Sequence, residues 1–125
     1  MIDKLSKRRM FYGLITLLLA IEIFLYSTIF SPVGINTGFN LSIVYHFGVF
    51  FMFTFFLSLT LINKKLDNKT IAIILLVSLA YALSDEFHQL FVAGRFADMK
   101  DLLTDFAGSI CSVLAIKALE KLKKL

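Results

Sequence analysis

Between Ser84 and Asp105 the chain reads SDEFHQLFVAGRFADMKDLLTD, a run that brings together Asp85, Glu86, His88, Gln89, Arg95, Asp98, Asp101 and Asp105. His46 and Glu22 stand apart from it in apolar surroundings. Carboxylates and imidazoles are the side chains of general acid–base catalysis. Clustered, they also bind metals: carboxylates suit hard divalent cations, imidazoles favour zinc, and either ion can activate water or polarise a phosphoryl oxygen. The candidate catalytic residues are therefore Asp85, Glu86, His88, His46 and Asp101. The candidate ligands for one or two divalent cations are Asp85, His88, Asp101 and Asp105. Gln89, Arg95 and Glu22 are candidates for holding a substrate, Arg95 through a bidentate grip on phosphate. The spacing fits no standard metal motif, so acid–base chemistry without a metal stands beside the metal reading.

Everything around these residues is apolar. The 125-residue chain is 58% hydrophobic, with 14 Phe and no Trp, and its mean hydropathy is +0.83. Soluble domains have apolar usage nearer one half, so this chain belongs in a membrane. A spanning helix needs roughly 20 residues, and four of them with their connections use the whole length as one domain, 1–125. The net charge of +4 does not indicate a nucleic-acid partner. The basic residues sit in short runs beside apolar stretches, without the aromatic and basic interleaving of a nucleic-acid groove. Cys111 is the only cysteine, so neither an intrachain disulfide nor a cysteine zinc cluster can form.

Four spans are expected, at about 10–30, 41–62, 70–91 and 100–118, giving an all-α bundle. The first follows the basic KLSKRR and resembles the start of a signal peptide. Its length and the absence of a small-x-small site in SPVGINTGFN make it a retained helix. Pro32 and Gly34 end it, and NKKLDNK separates the second span from the third. Lys4, Lys7, Arg8, Arg9, Lys64, Lys65, Lys69, Lys117, Lys121, Lys123 and Lys124 flank one side of these spans, leaving only Arg95 and Lys100 on the other. Basic residues in short loops stay cytoplasmic, so the reading is a multi-pass cell-membrane protein with both termini inside.

This orientation gathers the polar residues at the outer side. Glu22, His46, Asp85 to Gln89, Asp101 and Asp105 come from four helices, most of them within roughly 10 Å of the outer surface at 1.5 Å rise per residue. Each ionisable group in a span raises the insertion free energy by about 2.5 to 3.5 kcal/mol, so such groups face the bundle interior and mark function. Asp101, Asp105, Gly108 and Ser112 share one face of the fourth helix. Gly108 and Ser112 read as a close-packing notch for a neighbouring helix. In the third helix Asp85, His88 and Gln89 are expected to point inward. Glu86, some 60° further round, is expected against a neighbouring helix or the outer loop.

SDEFHQLF, the following Gly-Arg and KDLLTDFAG, with YHFGVF upstream, together resemble the VanZ-like family of small membrane proteins. The resemblance covers residues 40 to 115 and the four-span layout, and it singles out His46, Asp85, Glu86, His88, Gln89, Arg95, Asp101, Asp105 and Gly108. Two departures are visible: SIVY replaces the basic residue often found before the family histidine, and Ser112 stands where a second glycine is common. The family name comes from an accessory protein of glycopeptide resistance linked to teicoplanin, so the resemblance implies a link to glycopeptide resistance.

Three functions fit these residues. In the first, an enzyme in the cell envelope acts on a lipid-linked glycan, phosphate or other head group, with or without a divalent cation. In the second, an acidic, His-containing cavity binds or transports a cationic or glycosylated ligand such as a glycopeptide; transport by four short helices would require an oligomer. The third is a static charge network that fixes helix packing. Membrane lipids are partners in all three.

Overall fold

A computed structural model describes residues 3–28, 41–92 and 98–123. Four helices account for nearly all of them: α1 (Lys4–Thr28), α2 (Leu41–Leu61), α3 (Asn68–Gln89) and α4 (Met99–Lys123), with no strand among the described residues. Each is long and apolar enough to cross a membrane. The expected spans are recovered, with α1 beginning earlier, at the basic KLSKRR, and α4 continuing through ALEKLK. Lys and Arg are good helix formers, so a helix continues past the hydrocarbon limit where its charged end reaches water.

The helices are apolar on nearly every side. Leu14, Leu17, Leu18, Leu25, Leu76, Phe87, Leu103 and Leu114 are each about half exposed or more, as expected where lipid covers the surface. Because lipid is as apolar as leucine, the bundle is held by close packing and polar contacts rather than by a hydrophobic driving force. The most extensive pairing is α2 with α4, while α1 packs only on α2 and α3 among the described residues. At Gly108 on α4 the backbone of α2 leaves no room for a side chain. A Cβ there would lie 3.2 Å from the Phe47 carbonyl carbon and 3.3 Å from its Cα, with the carbonyl oxygen closer still. Gly108 is thus a notch for α2. Gly48, one residue beyond Phe47, has nothing within 4 Å of an added Cβ.

Inside the bundle lie two apolar clusters, Ile23 with Phe50, Phe53 and Ala82, and Leu66 with Ile74, Val113 and Ile116. Between them runs a buried line of hydroxyls. Thr54 Oγ1 meets Ser78 Oγ at 3.0 Å and donates to Ser109 Oγ at 2.8 Å, and Ser109 Oγ also bonds to the Asp105 carbonyl at 3.2 Å. Hydroxyls from α2, α3 and α4 thereby tie the three helices together directly below the acidic end.

At the opposite end, Asp67 caps α3 through Thr70. Hydrogen bonding from Thr70 holds its carboxyl below the ordinary 3.8. Leu66 is fully buried, and its backbone is clamped on both sides by α4. Its N–H donates to Glu120 Oε1 at 2.8 Å, and its carbonyl accepts from Lys117 Nζ at 2.7 Å. Arg9 Nε donates to the Thr60 carbonyl at 2.9 Å. The basic segments therefore converge at one end of the bundle, which leaves the acidic residues at the other.

Candidate functional site

The site is built from the N-terminal part of α2, the C-terminal turns of α3 and the first turns of α4. His46, Phe50, Thr54 and Ser58 follow one another at intervals of four and are all buried, forming the inward stripe of α2. This stripe carries His46 into the seam with α4. There its Nδ1 lies 2.7 Å from Asp105 Oδ1, with His46 2% and Asp105 0% exposed. The other ring nitrogen, Nε2, is 3.6 Å from Asp101 Oδ2, whose side chain is 19% exposed. Asp101 and Asp105, one turn apart on α4, thus take the two ends of one imidazole, with Asp105 deep and Asp101 toward the opening.

From α3 come Asp85 and Glu86, each 6% exposed. Gln89, one turn on and also buried, donates from Nε2 to Asp85 Oδ2 at 3.3 Å. Glu86 lies against the entry to α4, as its helical angle suggests, and also reaches inward. Its Oε2 accepts the Asp98 N–H at 3.0 Å, at the entry to α4, and its side chain joins the interior cluster. Asp85 and Glu86 stand about 100° apart on α3, and the extra methylene of Glu gives it the reach to join the same cluster.

One ligand atom each from His46, Asp85, Glu86 and Asp105 lies within 4.8 Å of all the others. At that separation each pair of ionised carboxylates repels by roughly 3 to 4 kcal/mol at an effective dielectric of 20. Two buried oxygens of the cluster, Glu86 Oε1 and Asp105 Oδ2, have no hydrogen-bond partner among the described residues. Buried carboxylate oxygens are ordinarily satisfied, and leaving one unsatisfied is costly.

Two residues expected at the site, His88 and Glu22, lie elsewhere. His88 is stacked on Phe24 with ring centroids 4.5 Å apart, and its Nε2 is 3.1 Å from Thr28 Oγ1. It fastens the end of α1 to α3 and is not among the four converging residues. Glu22 is exposed on α1 and accepts the Tyr45 hydroxyl at 3.0 and 2.9 Å. Tyr45 in turn stacks on Tyr26 with centroids 3.8 Å apart. Arg95 lies outside the described residues.

Sequence reasoning passed over Tyr45 and the hydroxyl line of Thr54, Ser78 and Ser109. A usable signal was present, since Thr54 stands eight residues after His46 and Ser109 four after Asp105, each on the same stripe as its charged partner.

No curated protein and no solved structure matches the chain. A family model described as VanZ/LLP1 matches residues 3–120, from just before α1 into the last turn of α4. With all four helices and the His46, Asp85, Glu86 and Asp105 cluster inside the matched region, the chain belongs to the VanZ/LLP1 family.

Proposed function

We propose that this protein works at the outer face of the cell membrane, with both termini in the cytoplasm, on the phosphate-bearing head group of a lipid-linked envelope component. Two things support the orientation: the basic residues flank one end of the helices, and loops rich in Lys and Arg are retained inside. The observation that carries the function is the unsatisfied cluster. Glu86 Oε1 and Asp105 Oδ2 have no donor among the described residues, as is also true of Glu120 Oε2 in the structural clamp at the opposite end, but here two such oxygens belong to one group of four ionisable side chains whose ligand atoms lie within 4.8 Å of one another. Charged groups left in this state at membrane depth mark a working site.

In this reading Asp101, the more accessible carboxylate, meets the head group, accepts a proton from the attacking hydroxyl and returns it to the departing oxygen. His46, held from behind by Asp105, fixes Asp101 in place. Gln89 orients Asp85 from one side, and the Asp98 amide orients Glu86 from the other. Arg95, from the connection before α4, grips the phosphate. The family's glycopeptide link fits a role in the envelope, where lipid-linked glycans are exposed.

The test is retention of defined lipids by the full chain in nanodiscs. A polyprenyl-pyrophosphate-linked glycan should bind in preference to phosphatidylglycerol, and Asp101→Asn should abolish its turnover while the protein stays folded. Equal retention of both lipids, with Asp101→Asn indistinguishable from wild type, would refute the reading.

A further inference from the structure

Phosphate carries negative charge, and so does the cluster that is to receive it. An acidic site accepts a phosphate only when a positive charge lies between them. We infer that His46, Asp85, Glu86 and Asp105 hold one divalent transition-metal ion, which bridges the carboxylates to the head-group phosphate. This deepens, and rests on, the proposal that the cluster works on a phosphate-bearing lipid.

Geometry supports the set. Donors bound to a common ion at 2.0 to 2.6 Å lie within about 5 Å of one another, and one donor from each of these four residues falls within 4.8 Å of the rest. The set differs from the one that sequence suggests: His88 is engaged by Phe24 and Thr28, and Asp101 lies toward the mouth. A second, independent observation points to a cation. Glu86 is 6% and Asp105 0% exposed, and each keeps one buried oxygen without a donor. A metal ion satisfies such oxygens in the way that hydrogen-bond donors elsewhere would.

The donor chemistry selects the ion. The imidazole favours Zn²⁺ and the three carboxylates also suit Mn²⁺, whereas Ca²⁺ and Mg²⁺ are served better by all-oxygen sets. His46 would offer the ion its Nδ1, 2.7 Å from Asp105 Oδ1, while its Nε2 faces Asp101 Oδ2 at 3.6 Å in the manner of the carboxylate–histidine pairings that orient metal-binding imidazoles. The hydroxyls of Thr54, Ser78 and Ser109 close the site from below.

The experiment uses the full chain purified in detergent, stripped with a chelator and titrated separately with Zn²⁺, Mn²⁺, Mg²⁺ and Ca²⁺. Zn²⁺ or Mn²⁺ should raise the melting temperature progressively with concentration, and the wild type should retain one ion per chain by elemental mass spectrometry. Glu86→Gln should lose that shift, while Asp67→Asn, a remote exposed acid, should keep it. Should Glu86→Gln fail to fold, electron paramagnetic resonance of Mn²⁺ titrated into the wild type decides, with one bound ion per chain displaced by Zn²⁺ as the expected result. Absence of bound metal with no shift for any of the four ions would overturn the inference, as would a full shift in folded Glu86→Gln. The two proposals fail separately. If no ion binds but Asp101→Asn still stops lipid turnover, the cation is wrong and the outer-face function stands. If the ion binds but pyrophosphate-linked and ordinary lipids are held equally, the function is wrong and the cation site stands.

Discussion

Replacing Gly108 by alanine tests the coupling between packing and site at one atom. The new Cβ would lie 3.2 and 3.3 Å from the carbonyl carbon and Cα of Phe47 and closer still to its oxygen. Those atoms are backbone, so they can yield only if α2 moves away from α4. The adjacent residue on α2 is His46, and Asp105 is three positions before Gly108 on α4, so the same movement lengthens the 2.7 Å contact between them. Overpacking of this kind costs about 1 to 3 kcal/mol. Weakening that hydrogen bond adds about 0.5 to 1.5 kcal/mol, and the better helix propensity of alanine returns about 1 kcal/mol. The expected net loss is therefore about 0.5 to 3.5 kcal/mol. Gly48→Ala is the matched control. It makes the same chemical change on the partner helix where nothing lies within 4 Å, so it should be neutral or stabilising by up to about 1 kcal/mol. Reversible unfolding in mixed detergent micelles, followed by helical circular dichroism, measures both. Equal stability of Gly108→Ala and Gly48→Ala would refute the proposed tight contact of α2 with α4.

Three further outcomes are expected. His88→Ala removes a ring stack and a contact to Thr28, so it should lower stability by about 1 to 2 kcal/mol and leave metal-induced shifts in melting unchanged. Glu120→Ala strips the acceptor from the buried Leu66 N–H and should cost about 1 to 3 kcal/mol; protease sensitivity should rise in the connection between α2 and α3, and unaltered cleavage there would contradict the clamp. Alkaline phosphatase fused after Lys123 should be inactive and after Gly38 active, and the reverse pattern would invert the proposed topology.

The architecture was legible because it follows from length and polarity. Apolar runs of about 20 residues, separated by Pro32 and Gly34 and by NKKLDNK, admit little besides four membrane helices. Gly108 was also legible, since a small residue one turn beyond Asp105 on an inward stripe is where another helix can approach closely. Less of the site could be read. His88 and Asp85 stand three positions apart and look equivalent in a helical projection. Which of them meets α4 and which meets α1 depends on how α3 is rotated in the bundle, and that is fixed by contacts distant in sequence, such as Phe24 with His88 and Phe53 with Tyr81. Glu86 meets the outer connection as its angle suggests, through the Asp98 amide, but angle alone ignores side-chain length and so does not reveal that it also joins the interior cluster. Thr54 was hidden by its setting in a run of phenylalanines, where a lone hydroxyl reads as lipid-facing until its partners on α3 and α4 are known.

The central claim is that the buried acids form a working site rather than a scaffold, and Asp105→Asn measured two ways tests it most directly. The substitution preserves shape and removes one negative charge from a cluster whose members repel one another. A working site should therefore keep or gain thermal stability in chelator, while losing turnover of the pyrophosphate-linked lipid and, in cells, any protection against a teicoplanin-type glycopeptide. A static network requires the opposite, because removing one partner of a buried pair destabilises by about 3 to 5 kcal/mol. Stable but inactive Asp105→Asn is the result expected here; loss of folded protein in step with loss of activity would contradict it.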